Sequence, residues 1–475
     1  MDRETALSEL QALCAVISEP DGSVPERYIL PWRGDKGGAF AVVVPENIDQ
    51  IRELIGFAVD NGFRLLAQGE RTGLIGASVP KKEDSENTIV VSMERFRSRL
   101  EYKHSDRRVI VDAGFTLDEV NEYLKPFGVH VPINVSSNPM IGGAVATNIG
   151  GSRVVRFGDA RKLLLGVEVV LADSEKTVFS TLDRPRKDNS SPNFTGVFCG
   201  SFGAYGIITT ASFETFPLFK STYTAWIALS PDADISDLLE KIEDESGDLL
   251  LACEFVGKEA VEKIATFNEL SSSLPLADKN CDLVFVEWGS THSEFSLNEF
   301  AESFLGTLSE SQLVEDIAIV PSNITWNLRH QFSDALKKVG KLIGNDVSVP
   351  RDRISQLRKE VFACIKEYDS NLHVRDFGHL GDGGLHFNVL VEDPDQISQW
   401  TDQRTDEIHF IVGEVAAKLG GSFSAEHGLG SFNTELYAKL SSKPAKMLSN
   451  SFKKFCDPHN VLGHSGIVFN AEGEK

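Results

Sequence analysis

Two short stretches of this chain, both flanked by glycine, gather side chains able to hold a metal or move a proton. The first reads His379-Leu-Gly-Asp-Gly-Gly-Leu-His386-Phe-Asn388, with two imidazoles seven residues apart. The second reads Ser424-Ala-Glu-His-Gly-Leu-Gly430 and sets Glu426 beside His427. Two imidazoles and a carboxylate suit zinc or a similar divalent ion, with coordination positions left open for a substrate. Three of the eleven histidines fall in these motifs, yet hydrogen-bonding histidines in glycine turns remain the alternative on residue type alone. Residues of even separation share a face of a strand, so His379 and His386 do not. For them to converge, Gly381-Asp-Gly-Gly384 must turn or bulge.

A second chemistry is written in glycines. Gln68-Gly-Glu-Arg-Thr-Gly-Leu-Ile-Gly76 and Ile141-Gly-Gly-Ala-Val-Ala-Thr-Asn-Ile-Gly-Gly151 are joined by a segment containing Pro132, Ser136 and Ser137. Glycine lets backbone N–H groups approach an anion and form a concave site for it. Neither loop is a GxGxxG fingerprint or a GxxxxGK[ST] phosphate loop, so a nicotinamide Rossmann site and an ATPase are unsupported. One such loop could simply turn the chain. Two in succession point to a ligand carrying a diphosphate.

The elements that must carry these motifs follow from periodicity. Leu7, Leu10, Leu13 and Val16 predict a helix, stopped by Pro20-Asp-Gly22. Phe40–Val44, the amphipathic run through Ile51, Leu54, Ile55 and Ala58, and Arg64–Ala67 predict strand, helix, strand. Strands follow at 88–92 and 108–112, a helix at 117–127, a loop at 131–158, a strand at 164–172 and a glycine loop at 200–206 running into Ile207. The glycine loops cease near Phe216–Lys220, which marks a domain boundary. Beyond it, strands at 224–229, 249–256 and 283–288 alternate with helices near 234–243, 258–268 and 293–307. That alternation predicts an α+β layer packed on one face of a sheet. Long helices are expected at 323–342 and 351–368, a strand at 373–391, a loop at 422–430 and a tail that is helical and then irregular.

Composition narrows the partners. The 475 residues carry 70 Asp and Glu against 47 Lys and Arg, a net charge of −23. Such a surface disfavours nucleic acid and anionic lipid. No apolar run reaches the ~20 residues of a membrane span. The opening MDRETALSEL lacks the basic-then-apolar order of a secretion signal, so no integral membrane association and a cytoplasmic location are expected. Six scattered cysteines without a CxxC pair read as single buried thiols.

The glycine loops, with Arg156-Phe-Gly158, Gly166-Val-Glu-Val-Val170 and Gly200-Ser-Phe-Gly-Ala-Tyr-Gly-Ile-Ile-Thr209 following in order, resemble the FAD domain of the vanillyl-alcohol oxidase and p-cresol methylhydroxylase superfamily over about residues 38–217. The resemblance implies that Gly69, Arg71, Thr72, Gly73 and Leu74 and then Pro132, Gly142, Gly143, Thr147, Asn148, Gly150 and Gly151 line the pyrophosphate, with Ile207 near the adenosine. Glu70-Arg71 and Phe202 depart from the family's usual Gly-Asn and Glu. Some members attach FAD through His or Cys. The first loop has neither, which implies non-covalent FAD, with His130 as the nearest rival.

The histidine motifs, together with Trp326-Asn-Leu-Arg329 and Asp346-Val-Ser-Val-Pro350, resemble the FAD-dependent D-2-hydroxyacid dehydrogenases, extending the likeness to about residue 460. Carried over position by position, His379, His386 and Glu426 would bind a divalent metal, zinc or manganese, and Asn388 would support its substrate end. His427 would be the general base and Arg329 would clamp the substrate carboxylate. Gly384 replaces a usual Asn, Gly344 a frequent Lys that Lys341 could replace, and Gly463-His-Ser-Gly466 the usual closing Asn-Pro-Gly-Lys. The implied fold is α+β: a p-cresol methylhydroxylase-type FAD-binding domain followed by an α+β substrate (cap) domain with an antiparallel sheet. The expected divisions are 1–37 (helical), 38–220 (FAD), 221–425 (substrate) and 426–475 (completing the active site).

The implied activity is oxidation of a D-2-hydroxy acid, such as D-2-hydroxyglutarate or D-lactate, by hydride transfer to FAD. The small-molecule substrate would be joined by an electron acceptor, a quinone or electron-transfer flavoprotein, in a possible homodimer. A glycolate-oxidase-type subunit and a non-catalytic FAD-binding electron-relay subunit are the alternatives.

Overall fold

The computed structural model describes residues 2–31, 36–267 and 274–463. They form two units. The first comprises Met1–Gly150, Gly158–Pro217 and His427–Lys475, the second Gly151–Phe157 and Leu218–Glu426. Two of the expected divisions therefore do not stand alone. The N-terminal helix Arg3–Leu13 buries Ala6 and Leu10 in the core of the first unit, and the C-terminal segment returns to that unit.

The first unit is built on strands β1 (Ala15–Ile17), β2 (Ala41–Val44), β3 (Arg64–Gln68) and β4 (Thr88–Ser92), in the order β1-β2-β4-β3. The last three are parallel. Every residue of β2 and β4 is buried, the continuous apolar texture of a parallel strand covered on both faces. The crossover helix Ile48–Asn61 starts where the Asn47 side chain accepts the Gln50 N–H and ends at Gly62. It buries Ile51, Leu54, Ile55, Phe57 and Ala58.

Strands β5 (Leu100–Lys103), β6 (Arg108–Asp112), β8 (Leu164–Val170), β9 (Val178–Ser180) and β10 (Ile207–Glu214) make an antiparallel sheet, and β7 (Val129–His130) pairs with β11 (Phe216–Pro217). The expected loop at 131–158 contains the helices Ile141–Thr147 and Val154–Phe157. Glycine and short side chains hide helical periodicity there.

The tail closes this unit. Leu65 exchanges backbone bonds with it: Leu65 N–H donates to Val461 O, and Gly463 N–H donates to Leu65 O. A buried ion pair fixes the approach. Lys453 Nζ lies 2.5 Å from Asp457 and also donates to Leu462 O. The Asp457 carboxylate accepts the N–H groups of Val461 and Leu462. Of the altered closing motif, residues 464–466 lie outside the described residues.

The second unit is one antiparallel sheet of β12 (Ser221–Leu229), β13 (Leu250–Val256), β14 (Leu283–Ser290), β15 (Val314–Ile319), β16 (Lys341–Ser348), β17 (His373–His379) and β18 (Gly384–Val391). Their order is β15-β12-β14-β13-β17-β18-β16. Alternation sends Ile227, Phe255, Val286, Ile343, Val347, Leu385, Phe387 and Val389 to one core. Helices Ile235–Ser246, Leu297–Ser309, Ile354–Tyr368 and Asp402–Lys418 supply the rest of that core. Trp226, Val256, Phe285 and Phe377 belong to a second core with Lys258–Ile264 and Ser322–Lys337. Helices therefore cover both faces rather than the expected one, because both sets of strand residues are apolar over much of their length.

Three sequence expectations change here. The helix expected at 323–342 ends at Lys337, and the chain enters β16. Gly340 passes against β18, where an added Cβ would lie 2.1 Å from Val391 O. The strand expected at 373–391 is a hairpin, β17 turning into β18. The expected helix at 258–268 ends at Ile264, and residue 268 lies outside the described residues. Among the described residues no helix is long and apolar enough to cross a membrane.

Replacing Asp457 by Ala leaves the Lys453 ammonium buried without its counter-charge and two N–H groups without their acceptor. Loss of one partner of a buried pair costs about 3–5 kcal/mol. Asp457→Ala should therefore lower the denaturation midpoint well below that of Lys453→Met, which leaves the carboxylate its two N–H donors. Equal midpoints for the two variants would refute this account of the tail.

Candidate active site

The hairpin solves the spacing problem posed by His379 and His386. The chain turns through Leu380–Asp382 and Gly383, whose φ of +85° is left-handed and whose added Cβ would meet Val349 O at 2.3 Å. His379 then pairs with Gly384 and Phe377 with His386. Cross-strand partners share a face, as do residues two apart along a strand. Both imidazoles therefore stand on one face, with ring centroids 5.5 Å apart.

The same register places the neighbours. Asp346 of β16 lies opposite His386, and Gly344 opposite Asn388. Val256 of β13 pairs with Phe377, so Glu254, two residues earlier, stands beside His379. The loop carrying Glu426 is laid along β16 by reciprocal backbone bonds between Ser348 and Ser422. Asp346 then accepts the Glu426 N–H on its carboxylate at 2.8 Å. Glu426 Oε1 is 3.1 Å from His379 Nε2, and Oε2 is 3.9 Å from His386 Nε2. One donor atom from each of His379, His386 and Glu426 lies within 4.8 Å of the others.

Behind this triad stands Glu254, fully buried. It meets His379 Nδ1 at 2.5 Å through Oε1 and accepts Arg329 Nε at 2.7 Å through Oε2. A carboxylate on the far nitrogen of an imidazole fixes the ring and raises its basicity toward a metal. Burial works to raise the Glu254 carboxyl, but His379 and Arg329 outweigh it and hold the group below the ordinary carboxylate value. Burial pulls the His379 imidazole down, but Glu254 and Glu426 outweigh it and lift it well above the usual value. Asp382, in the turn, is pushed up to about 7 by burial and further by the Glu426 charge, against the pull of His379. A cation bound at His379 therefore displaces a proton. The donor set fits zinc or a similar divalent ion: imidazole nitrogen, a carboxylate and a second carboxylate behind one ring.

Arg329 and Trp326, one turn apart on the helix Ser322–Lys337, are both fastened to the sheet by carboxylates. Trp326 Nε1 donates to Glu287 Oε1 at 3.0 Å, and Arg153 reaches Oε2 of the same buried residue at 3.2 Å. The Arg329 guanidinium also lies over the Phe377 ring at 4.8 Å. Asn388 is buried two residues beyond His386 on the same face, and its Nδ2 lies 3.4 Å from His386 O. His427 follows Glu426 in the chain and is half-buried. Lys341 does not take the place left by Gly344. The regular β16–β18 register puts it on the opposite face.

Sequence reading missed Glu254 and gave Asp346 no role. Glu254 had a signal: a carboxylate inside the apolar run Leu250-Leu-Ala-Cys-Glu-Phe-Val256 must be paired if that run is buried.

In the first unit, the glycine loops leave backbone uncovered. An added Cβ at Gly73 or Gly143 would meet nothing within 4 Å, whereas one at Gly142 would lie 2.7 Å from the Ala113 Cβ. Gly142 is thus fixed by packing, while Gly73 and Gly143 offer the close approach that a diphosphate needs. The loops fit FAD on that ground. Arg71, at φ +61°, donates to Gly69 O at 3.0 Å and lies over the Tyr28 ring. Thr72, Gly73 and Leu74 are half-buried and Pro132 is buried. Thr147 Oγ1 donates to Gly143 O, and Asn148, left-handed at the helix end, bonds Asp159 and the Arg161 N–H. Ile207 opens β10 in the core. Gly150 ends a segment of the first unit, but Gly151 belongs to the second, where its N–H donates to Glu426 Oε1 at 3.1 Å. His130 lies in β7. Phe202 fills the space over Gly428, whose added Cβ would strike its ring.

Comparison with known proteins identifies the family. A family model described as "FAD binding domain" matches residues 39–180, and one described as "FAD linked oxidases, C-terminal domain" matches residues 224–464. A Bos taurus protein named "D-2-hydroxyglutarate dehydrogenase, mitochondrial" is 28% identical over 454 residues, 94% of this chain and 80% of its own. A Xanthomonas citri protein named "D-2-hydroxyglutarate dehydrogenase" is 26% identical over 464 residues, 96% of this chain and 95% of its own. The solved structure of p-cresol methylhydroxylase with substrate bound superposes with a TM-score of 0.70 at 14% identity, covering 96% of this chain and 95% of the other. An alkyldihydroxyacetonephosphate synthase gives 0.69 at 14% identity, over 97% and 84%. These structures establish the fold.

Glu254→Gln keeps the size of the side chain and removes its charge. Loss of such a partner behind a metal-binding imidazole typically lowers metal affinity about 10–100-fold. Zinc competition against a chelator should show that drop, and an unchanged affinity would rule out the supporting role.

Proposed function

The chain belongs to the FAD-linked oxidases, and from that premise we propose that it oxidises a D-2-hydroxy acid to the 2-oxo acid at the His379–His386–Glu426 cluster. The observation that carries the reading is the convergence of those three side chains on one sheet face, with Glu254 behind His379. The relatives named D-2-hydroxyglutarate dehydrogenase support the substrate class.

When bound, FAD supplies a hydride acceptor and a divalent cation supplies the positive charge that acidifies a hydroxyl group. The residues of the chain do the rest. His379, His386 and Glu426 would hold the cation, His379 being kept in one orientation by Glu254 and the Glu426 loop being held in place by Asp346. His427 accepts the hydroxyl proton, since imidazole is the side chain suited to that transfer near neutral pH. Arg329, with its Nε already on Glu254, offers its remaining donors to the substrate carboxylate in a fixed orientation. Asn388 adds an amide on the same face as the imidazoles. FAD is held without a covalent link, because the loop from Gln68 to Gly76 contains no His or Cys.

Anaerobic bleaching of the flavin near 450 nm by a panel of D- and L-2-hydroxy acids tests the reading. One D-acid should bleach it, EDTA should abolish the effect, and added zinc or manganese should restore it. His427→Ala should slow flavin reduction by about 10²–10⁴-fold while FAD stays bound. His386→Ala should lose metal and activity together. FAD that no hydroxy acid reduces would favour the electron-relay alternative.

A further inference from the structure

We propose that Arg375 determines specificity by binding a second carboxylate at the far end of the substrate. This rests on the reading above, that a 2-hydroxy acid is oxidised at the His379–His386–Glu426 cluster.

Strand register places Arg375. It pairs across β17–β18 with Asn388, and Asn388 pairs with Gly344 of β16. Arg375 is two residues before Phe377 and four before His379, so it stands on the imidazoles' face. The row Arg375–Asn388–Gly344 follows directly on the row Phe377–His386–Asp346. It lies about 7 Å farther along the strands, at roughly 3.4 Å per residue. A 2-hydroxy diacid of four or five carbons held at its hydroxyl end by the cluster would bring its second carboxylate toward this row. D-Lactate ends in a methyl group and carries nothing for a cation to bind.

The charge balance around Arg375 also calls for an anion. Its side chain is 15% exposed. One terminal nitrogen donates to the carbonyl of Val374 at 3.1 Å, and the other stands 3.6 Å from Glu392 Oε1, beyond hydrogen-bond reach. Its Nε is buried with no hydrogen-bond partner among the described residues. Glu392 is already held by Lys263, whose Nζ lies 2.8 Å from Oε2. Two cations thus share one carboxylate. A guanidinium has five N–H donors, and leaving the Nε one without an acceptor out of water is costly. A ligand carboxylate would accept two in parallel. Gly344 has no side chain to fill the other end of the row.

The test compares holoenzymes: wild type, Arg375→Met, Arg375→Lys and Arg375→Met combined with Gly344→Lys. Each is assayed with D-2-hydroxyglutarate and D-lactate, and calorimetry measures the affinity of each for 2-oxoglutarate and pyruvate. Arg375→Met should lower the ratio of kcat/KM for the diacid to that for D-lactate at least tenfold, through KM. It should weaken 2-oxoglutarate at least tenfold more than pyruvate. Arg375→Lys should lose less, and lysine at position 344 should restore part of the ratio by returning a cation to the same row. A purely structural Arg375, which serves only to hold Glu392, would change both acids alike, and that result overturns the proposal. Wild-type flavin reduced by D-lactate but not by the diacid overturns it alone. Flavin reduced by no 2-hydroxy acid overturns the functional reading and this proposal with it.

Discussion

A carboxylate taken out of water in the middle of an apolar strand has to be neutralised by its neighbours, and Glu254 is neutralised from two sides. Arg329 arrives from the helix above the sheet and His379 from the adjacent strand. Without that carboxylate, Arg329 would be a buried cation lacking its partner, and the His379 ring would be free to rotate. With it, the helix Ser322–Lys337, strand β13 and strand β17 are tied at one point. The Nε2 atom of His379 is left facing Glu426. Buried ion pairs seldom add net stability, because desolvation offsets their attraction. What this one supplies is orientation, and a metal-binding imidazole depends on that.

The sheet around Glu254 has two different faces. One takes four helices and is apolar except at Asn345, which meets His409, and Asp376, which pairs with Arg358. The other is apolar at Trp226, Phe285, Val256 and Phe377, and polar where Glu287, Glu254, His379, His386 and Asp346 stand. Each buried acid of this face has a basic or N–H partner: Arg153 and Trp326 on Glu287, Arg329 on Glu254. Antiparallel pairing makes the arrangement possible. It fixes which side chains are opposite one another, so that residues more than 120 positions apart in the chain, such as Glu254 and His379, meet on one face.

Much of this was legible in the sequence. The glycine loops and the two histidine motifs come from residue types and spacing, since glycine clusters and paired imidazoles have few other uses in combination. The helix Ile48–Asn61 and strands β2, β3 and β4 follow from their apolar periods. The strand expected across 373–391 failed because periodicity reports which residues alternate and not where the chain reverses. Only the requirement that His379 and His386 meet pointed to the turn.

What the sequence could not provide is pairing across distance. Glu254 reads as one acid in an apolar run until β13 lies beside β17. Lys341 looked able to replace the lysine absent at Gly344 until the register of β16 put it on the other face. Gly151 read as a pyrophosphate contact, and its N–H in the second unit is directed to Glu426. The sequence by itself determined the chemistry available, because residue type sets which atoms can bind a cation, an anion or a proton. Tertiary structure alone decided which of them act together, because strand register and burial, not spacing along the chain, set the distances between them.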